Sequence, residues 1–252
     1  MAMDGHSAAC CSLPPIIAKH YPEKGKYETI GGLKTYVTGP ADASKALLVI
    51  YDIFGYYPQT IQGADILAYA DKSNQYRVFM PDWLEGKPAD ISWYPPDTEE
   101  KGKLLGHFFQ TTGAPPKTAE KVPGMITAIE EFSPPIKTWG IVGFCWGGKI
   151  ISMNTSSGSS PFKAAAECHP AMIDPSEAEN IKIPLCMLAS GDEPVADVEK
   201  FEANLTGEKH VEIFKDQIHG WMAAKADLED GRKKSEYERG YQLLLSFFAK
   251  HL

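Results

Sequence analysis

Residues 138–150, Thr-Trp-Gly-Ile-Val-Gly-Phe-Cys-Trp-Gly-Gly-Lys-Ile, restrict the possible folds more than any other stretch of the chain. An apolar run stops at Gly143-Phe144-Cys145-Trp146-Gly147-Gly148, and the chain then turns polar. It reads as strand, tight turn and helix. Glycines two residues to either side of a central residue let a strained turn join strand to helix without side-chain clash. That is the spacing of a nucleophile elbow, G-x-S-x-G, with Cys145 where the serine stands. Such a turn raises its central side chain above a sheet and aims the next backbone N–H, here that of Trp146, at a developing oxyanion. It also sets the sulfur near the positive end of a helix, which favours thiolate. The competing explanation of the same spacing is a small cysteine buried in a core.

The rest of the chain supplies the neighbours that such a unit needs. Residues 27–38 form two short runs around Gly31-Gly32, a hairpin signal. Residues 46–51 are continuously apolar, as a strand covered on both faces should be, and Asp52-Ile53-Phe54-Gly55 follow at its carboxyl end, where ligands sit in open α/β sheets. Helical periodicity covers 59–73, 98–110, 117–131, 149–156 and 235–252, and strand-like runs fall at 77–80, 164–168, 185–190 and 211–214. This alternation predicts one three-layer α/β domain over residues 25–252 with a mostly parallel central sheet, preceded by an N-terminal tail, 1–24. Residues 83–96, rich in Pro, Gly, Trp and Tyr, fit neither element and read as a cap over the site or a packed surface loop.

Composition excludes several other classes. Hydrophobic content of 43% and charged content of 23% over 252 residues describe a globular protein with a large core, and a net charge of −8 argues against a nucleic-acid or anionic-membrane surface. The five cysteines at 10, 11, 145, 168 and 186 form no C-x-x-C or Cys/His spacing, so neither a structural metal nor a disulfide framework is expected. Cys168 and Cys186 lie in apolar runs and read as core, whereas Cys10 and Cys11 fall in the tail. The N-terminus lacks a basic region followed by an apolar one, and no run approaches membrane-spanning length; the expected location is cytoplasmic. The terminal Lys250-His251-Leu252 faintly resembles a peroxisomal address and reads better as a helix end. A small-molecule substrate, no cofactor and a monomer or homodimer complete the expectation.

In hydrolases built on this elbow the chain order is nucleophile, acid, histidine, each at a strand end. Cys145, Asp192 after the 185–190 run and His219 after the 211–214 run obey that order, and a parallel sheet would bring them to one edge. Together with Gly143-Phe144-Cys145-Trp146-Gly147-Gly148, Gly191-Asp192, His219-Gly220-Trp221 and Pro81-Asp82, they make residues 27–250 resemble the dienelactone hydrolase family, which uses a Cys-Asp-His triad on an α/β-hydrolase fold. The resemblance implies that the backbone N–H groups of Ile53 and Trp146 form the oxyanion hole. It also implies that Asp52, where the family typically has a glutamate, interacts with the thiol, and that a substrate carboxylate is met by cations. No arginine matches those positions; Lys87 and Lys225 are the nearest, with Trp83, Trp93 and Tyr94 as aromatic candidates for substrate contact. The expected reaction is hydrolysis of an activated ester, such as a dienelactone or related enol lactone, through a cysteine acyl-enzyme. A thioesterase or acyl transferase on the same triad, a non-catalytic small-molecule binder and a thiol redox sensor are the alternatives.

Overall fold

The computed structural model describes residues 13–158 and 160–252. Cys10 and Cys11 lie outside the described residues. Strands β1 (Lys26–Ile30) and β2 (Leu33–Thr38) pair antiparallel across Gly31 and Gly32, whose φ angles of 56° and 82° are the two positive values that a tight hairpin turn requires. Then come β3 (Lys45–Ile50), α1 (Pro58–Tyr69), β4 (Arg77–Pro81), α2 (Glu99–Gln110), α3 (Pro115–Ala119) and α4 (Val122–Phe132). The second half comprises β5 (Thr138–Phe144), α5 (Trp146–Thr155), β6 (Phe162–Cys168), α6 (Pro175–Ala178), β7 (Leu185–Ser190), α7 (Val195–Asn204), β8 (Lys209–Phe214) and α8 (Gly231–His251). The eight strands form one sheet in the order β1-β2-β4-β3-β5-β6-β7-β8. It is parallel from β4 through β8 and antiparallel only at β1–β2 and β2–β4.

The middle strands explain why the sheet forms. Leu47, Leu48, Ile141, Val142, Ala165, Ala166, Met187 and Leu188 have essentially no contact with water, since helices cover both faces of the parallel part. Helix α5 packs on β3, β5 and β6, while α1 packs against α8. Gly63 of α1 lies so close to α8 that a Cβ there would sit 1.8 Å from the Tyr241 hydroxyl. Helix α8 runs to His251, and the N–H of Leu252 donates to Phe248 O. No helix among the described residues is long and apolar enough to cross a membrane.

Over its described part, 13–24, the segment before β1 has no helix or strand, yet it is tied to α1. Gln62 exchanges two hydrogen bonds with the backbone of Ile17. The buried Asp65 carboxylate accepts from Tyr21 Oη (2.8 Å), Lys24 N (3.0 Å), Tyr36 Oη (2.9 Å) and Thr38 Oγ1 (2.6 Å). A carboxylate removed from water is tolerated when its lone pairs are filled in this way.

Glu167 on β6 is less well provided for. It is 1% exposed and accepts a hydrogen bond from Ser152 Oγ at 2.7 Å. Burial pushes its carboxyl up to about 8, although the Ser152 bond pulls the other way. The folded protein therefore keeps a proton that the unfolded chain releases above the ordinary value of 4.5, and stability falls as pH rises from there to about 8. A Glu167→Gln variant carries a neutral group at every pH. Its melting temperature is expected to match the parent near pH 4.5 and to exceed it by roughly 5–10 °C near pH 8. Parallel melting curves for the two proteins across that range would contradict a protonated Glu167.

Candidate active site

Strand β5 delivers Cys145 into a backbone conformation that side chains seldom adopt, φ 54° and ψ −114°. Its neighbours leave no alternative. A Cβ on Gly143 would lie 2.4 Å from Gly147 O, and one on Gly147 would lie 2.1 Å from Ile50 O. The turn is held from both sides: Cys145 N–H donates to Cys168 O, and Cys145 O accepts from Gly148 N and Ala171 N, each at 3.0 Å. Strain of this kind costs about 1–3 kcal/mol and persists only where the surroundings over-determine it. Trp146 opens helix α5, so its N–H has no carbonyl one turn earlier to bond. Its indole, buried, donates to Gly113 O at 2.8 Å and fixes the start of the helix.

His219 lies in the loop after β8 and lines the same cleft as Cys145. Nδ1 of its ring is 2.6 Å from Glu193 Oε1, which leaves Nε2 for the sulfur, and the ring is hydrogen-bonded to Cys145. Burial taken alone would pull the imidazole down; the charge and hydrogen bond of Cys145, with Glu193 behind them, outweigh it and push the ring up to about 10. The imidazolium is thus stabilised by both of its partners.

Asp192, expected to orient the ring, does something else. Its Oδ2 accepts from the backbone N–H of His219 at 2.7 Å, so it anchors the main chain while the next residue reaches the imidazole. Glu193 is 5% exposed and fully engaged, with Oε2 bonded to Ser190 N and Oε1 accepting from Ser190 Oγ at 3.0 Å as well as facing the ring. Its extra methylene lets it fold back over the end of β7, where the shorter Asp192 points to the loop. Sequence order singled out Asp192; the acidic pair Asp192-Glu193 was the only signal that Glu193 could compete.

Asp52 is likewise placed differently from the resemblance. Its two oxygens are occupied by backbone groups, Oδ1 by Phe54 N at 2.9 Å and Oδ2 by Ala224 N at 3.1 Å, in place of the thiol. Ile53 follows it in the loop that lines the cleft beside Cys145. A residue not anticipated at all is His169, at the end of β6. It is buried, its ring centroid is 5.2 Å from that of His219, and neither of its ring nitrogens has a hydrogen-bond partner. Burial pulls it well below the ordinary histidine value, so it stays neutral against the charged ring. Its position directly after a strand was the available signal.

The cleft has a volume of about 530 Å³ and mainly apolar walls, among them Phe54, Leu105, Phe109, Met172 and Ile173. Of the suggested substrate contacts, Lys225 and Tyr94 line it. Lys225 Nζ lies 4.1 Å from the Tyr94 ring centroid, half-buried, and no carboxylate among the described residues pairs with it. Burial lowers its pKa, with the charges of Asp192 and Cys145 acting in the opposite sense. Lys87, Trp83 and Trp93 are outside the lining. Lys87 is exposed on the turn that follows Glu85, Trp83 is 1% exposed with its indole donating to Val49 O at 3.0 Å, and Trp93 packs on the core from the cap. Trp83 is fixed there by Pro81-Asp82: Asp82 accepts from Tyr51 Oη and Gly86 N, so the chain turns inward at once. Cys168 and Cys186 are fully buried with thiols pushed up by burial, which denies Cys145 an accessible second thiol among the described residues. No group of three metal-ligating side chains occurs among those residues.

Comparison with known proteins places the chain in a family and a fold. The profile of the Dienelactone hydrolase family matches residues 33–252. An uncharacterized AIM2 family protein of Schizosaccharomyces pombe is 36% identical over 250 residues, 96% of this chain and 98% of its own. The human carboxymethylenebutenolidase homolog is 27% identical over 244 residues, 92% and 93% of the two chains. Among solved structures, dienelactone hydrolase from Anabaena variabilis superimposes with a TM-score of 0.66 at 18% identity, covering 92% of this chain and 100% of that one. A putative dienelactone hydrolase from Klebsiella pneumoniae gives 0.67 at 15%, covering 89% and 98%. At such identities the structural likeness speaks for the fold.

Proposed function

The chain belongs to the dienelactone hydrolase family and is a carboxylic ester hydrolase, and from that premise we propose that it cleaves activated esters or enol lactones through an acyl-enzyme on Cys145. The observation that carries this reading is Cys145 in its strained elbow, hydrogen-bonded to a His219 whose other nitrogen rests on a buried carboxylate. The Cys145 thiolate attacks the carbonyl carbon, and the N–H groups of Ile53 and Trp146 receive the oxyanion. Collapse expels the leaving oxygen, which takes the proton from His219. The neutral imidazole then removes a proton from water, the hydroxide attacks the thioester, and the thiolate departs with the acid as product. Thiolate leaves more readily than alkoxide, so the forward step needs a leaving oxygen of low basicity. Enolates meet that requirement.

The substrate is proposed to combine an apolar body with one anionic group. The apolar walls and the volume of about 530 Å³ support the first, since specific small-molecule sites run from about 300 to 1,000 Å³. The Lys225 ammonium, with no carboxylate paired to it among the described residues, supports the second, since it opposes a net charge of −8 that repels anions at long range. Lys225→Ala is expected to reduce kcat/KM for a carboxylate-bearing ester about 10-fold to 100-fold, chiefly through KM, and to change its methyl-esterified counterpart less than about 3-fold. Lys87→Ala serves as the control and should alter neither. If the parent enzyme prefers the neutral member of each pair and Lys225→Ala leaves the ratio unchanged, the site is apolar throughout. Thioester substrates and competing nucleophiles in the same assay separate hydrolysis from thioesterase or acyl-transfer activity.

A further inference from the structure

Asp52 carries a buried charge that the reaction just described does not use. It is 1% exposed and belongs to the loop after β3, yet its longest-range bond reaches residue 224, on the loop that follows His219. Within its own loop the carboxylate bonds to the N–H two residues on, Phe54, and its carbonyl accepts from Gly55 N at 3.2 Å, which closes a compact turn around Ile53. The Ile53 carbonyl is held in turn by Ala89 N at 2.8 Å. With Phe54 N, Gly55 N and Ile53 O all engaged, the peptide carrying the Ile53 N–H has little freedom. The loop 220–226 is a series of short turns, Ala223 N to Gly220 O and Ala226 N to Ala223 O, each at 3.0 Å, pinned from the helices by Tyr241 Oη on Met222 O at 3.1 Å and Gln59 Nε2 on Ala226 O at 3.2 Å, neither bond coming from the loop after β3. Asp52 supplies the hold from that side.

We propose that Asp52 is a positioning residue that clasps the oxyanion loop to the histidine loop, with one carboxylate oxygen on Phe54 N–H and the other on Ala224 N–H. This rests on the reading of Cys145 as nucleophile and of Ile53 N–H as an oxyanion donor. The side-chain length fits the role: a carboxylate one methylene from Cα makes the bond to residue i+2, and its second oxygen is left facing across the gap to Ala224. Both oxygens must accept, and only the ionised form leaves both free of a proton. The ionisable and charged groups that influence or sense this carboxylate are His219 and Lys225, which favour its charge, and Tyr57 and Tyr241. Burial outweighs the Phe54 and Ala224 backbone bonds and, behind them, the two cations, and raises the group to about 6, so the clasp loosens within reach of mildly acidic conditions.

The test separates oxyanion stabilisation from thiol reactivity. Alkylation of Cys145 by iodoacetamide needs the thiolate but no oxyanion hole, whereas hydrolysis needs both. In Asp52→Asn, one bond partner faces an amide NH2 and the clasp is broken on that side. Hydrolysis of an activated ester, measured as kcat, is expected to fall about 10-fold to 100-fold with alkylation of Cys145 changing less than about 3-fold. The acid limb near pH 6 in the parent kcat/KM profile, which reports ionisations of the free enzyme, should disappear in the variant. Equal losses in hydrolysis and alkylation would overturn the proposal and make Asp52 a partner of the thiol. Unchanged hydrolysis with the acid limb intact would overturn it as well. Should the variant not fold, the parent protein carries the test: between pH 7 and 5 its kcat/KM for hydrolysis must fall through pH 6 while alkylation does not, and a joint fall counts against the clasp. Activity surviving in Cys145→Ala would instead defeat the nucleophile assignment on which the clasp depends.

Discussion

Alanine at position 145 is expected to remove ester hydrolysis almost entirely, by a factor on the order of 10⁴ or more, and to leave the melting temperature nearly unchanged. The side chain lost is small, and alanine meets the same positive φ of 54° that cysteine already bears. What disappears is chemical: the attacking sulfur, and with it the negative charge that holds the proton on His219. A second consequence has a definite sign. The Cys145 charge and hydrogen bond are the largest influences raising that ring to about 10, and burial opposes them, so His219 should titrate at clearly lower pH in the variant. Imidazole resonances followed by NMR would record the change. Hydrolysis at the parental rate in Cys145→Ala would end the assignment.

The second large effect is expected at Glu193. Glutamine there has one carbonyl oxygen to serve Ser190 N, Ser190 Oγ and the Nδ1–H of His219, so an NH2 group must face at least one donor. A ring without its carboxylate loses both its fixed tautomer and the charge that stabilises its imidazolium. In serine-protease triads that loss is about 10⁴-fold in turnover; a thiol needs less help than a hydroxyl, and about 10²-fold to 10³-fold is expected here. Asp192→Asn keeps an oxygen for the His219 backbone N–H and should cost less than about 10-fold. Comparing kcat of the two variants on one activated ester decides between them. A larger loss in Asp192→Asn would mean that the ring turns to Asp192 during turnover.

That pair shows where sequence reasoning stopped. The elbow was legible because its requirement is local: two glycines, a strand and a helix within a dozen residues. The sheet was legible because a strand covered on both faces has to be apolar without interruption, as 46–51 and 185–190 are. Helix α7 was not, since Val198 and Phe201 are its only buried residues and so narrow a stripe leaves little periodicity. The choice between Asp192 and Glu193 depended on one methylene of reach from a turn whose path is set by Ser190 and Gln217, far apart in sequence. The cap aromatics failed for a similar reason. Trp83 looks like Trp93 in composition, but Val49 O captures its indole deep in the sheet, and only Tyr94 is left at the cleft. Lys225 reached the site through the compact turns after Gly220, whose φ of 96° brings that side chain against the glycine.

The four donors around Asp65 bear on how this domain can be handed on. Composition changes near residue 24, and a boundary drawn there would look clean. It would separate Tyr21 and Lys24 from a carboxylate that has no contact with water, leaving half of its partners behind. A charge stripped in that way destabilises by a few kcal/mol, a large part of what a domain of this size has in reserve. Residues 13–24 are therefore part of the same packed unit as the sheet. Recombination, grafting or trimming that breaks the join at 24 must bring a new set of donors or give up the carboxylate.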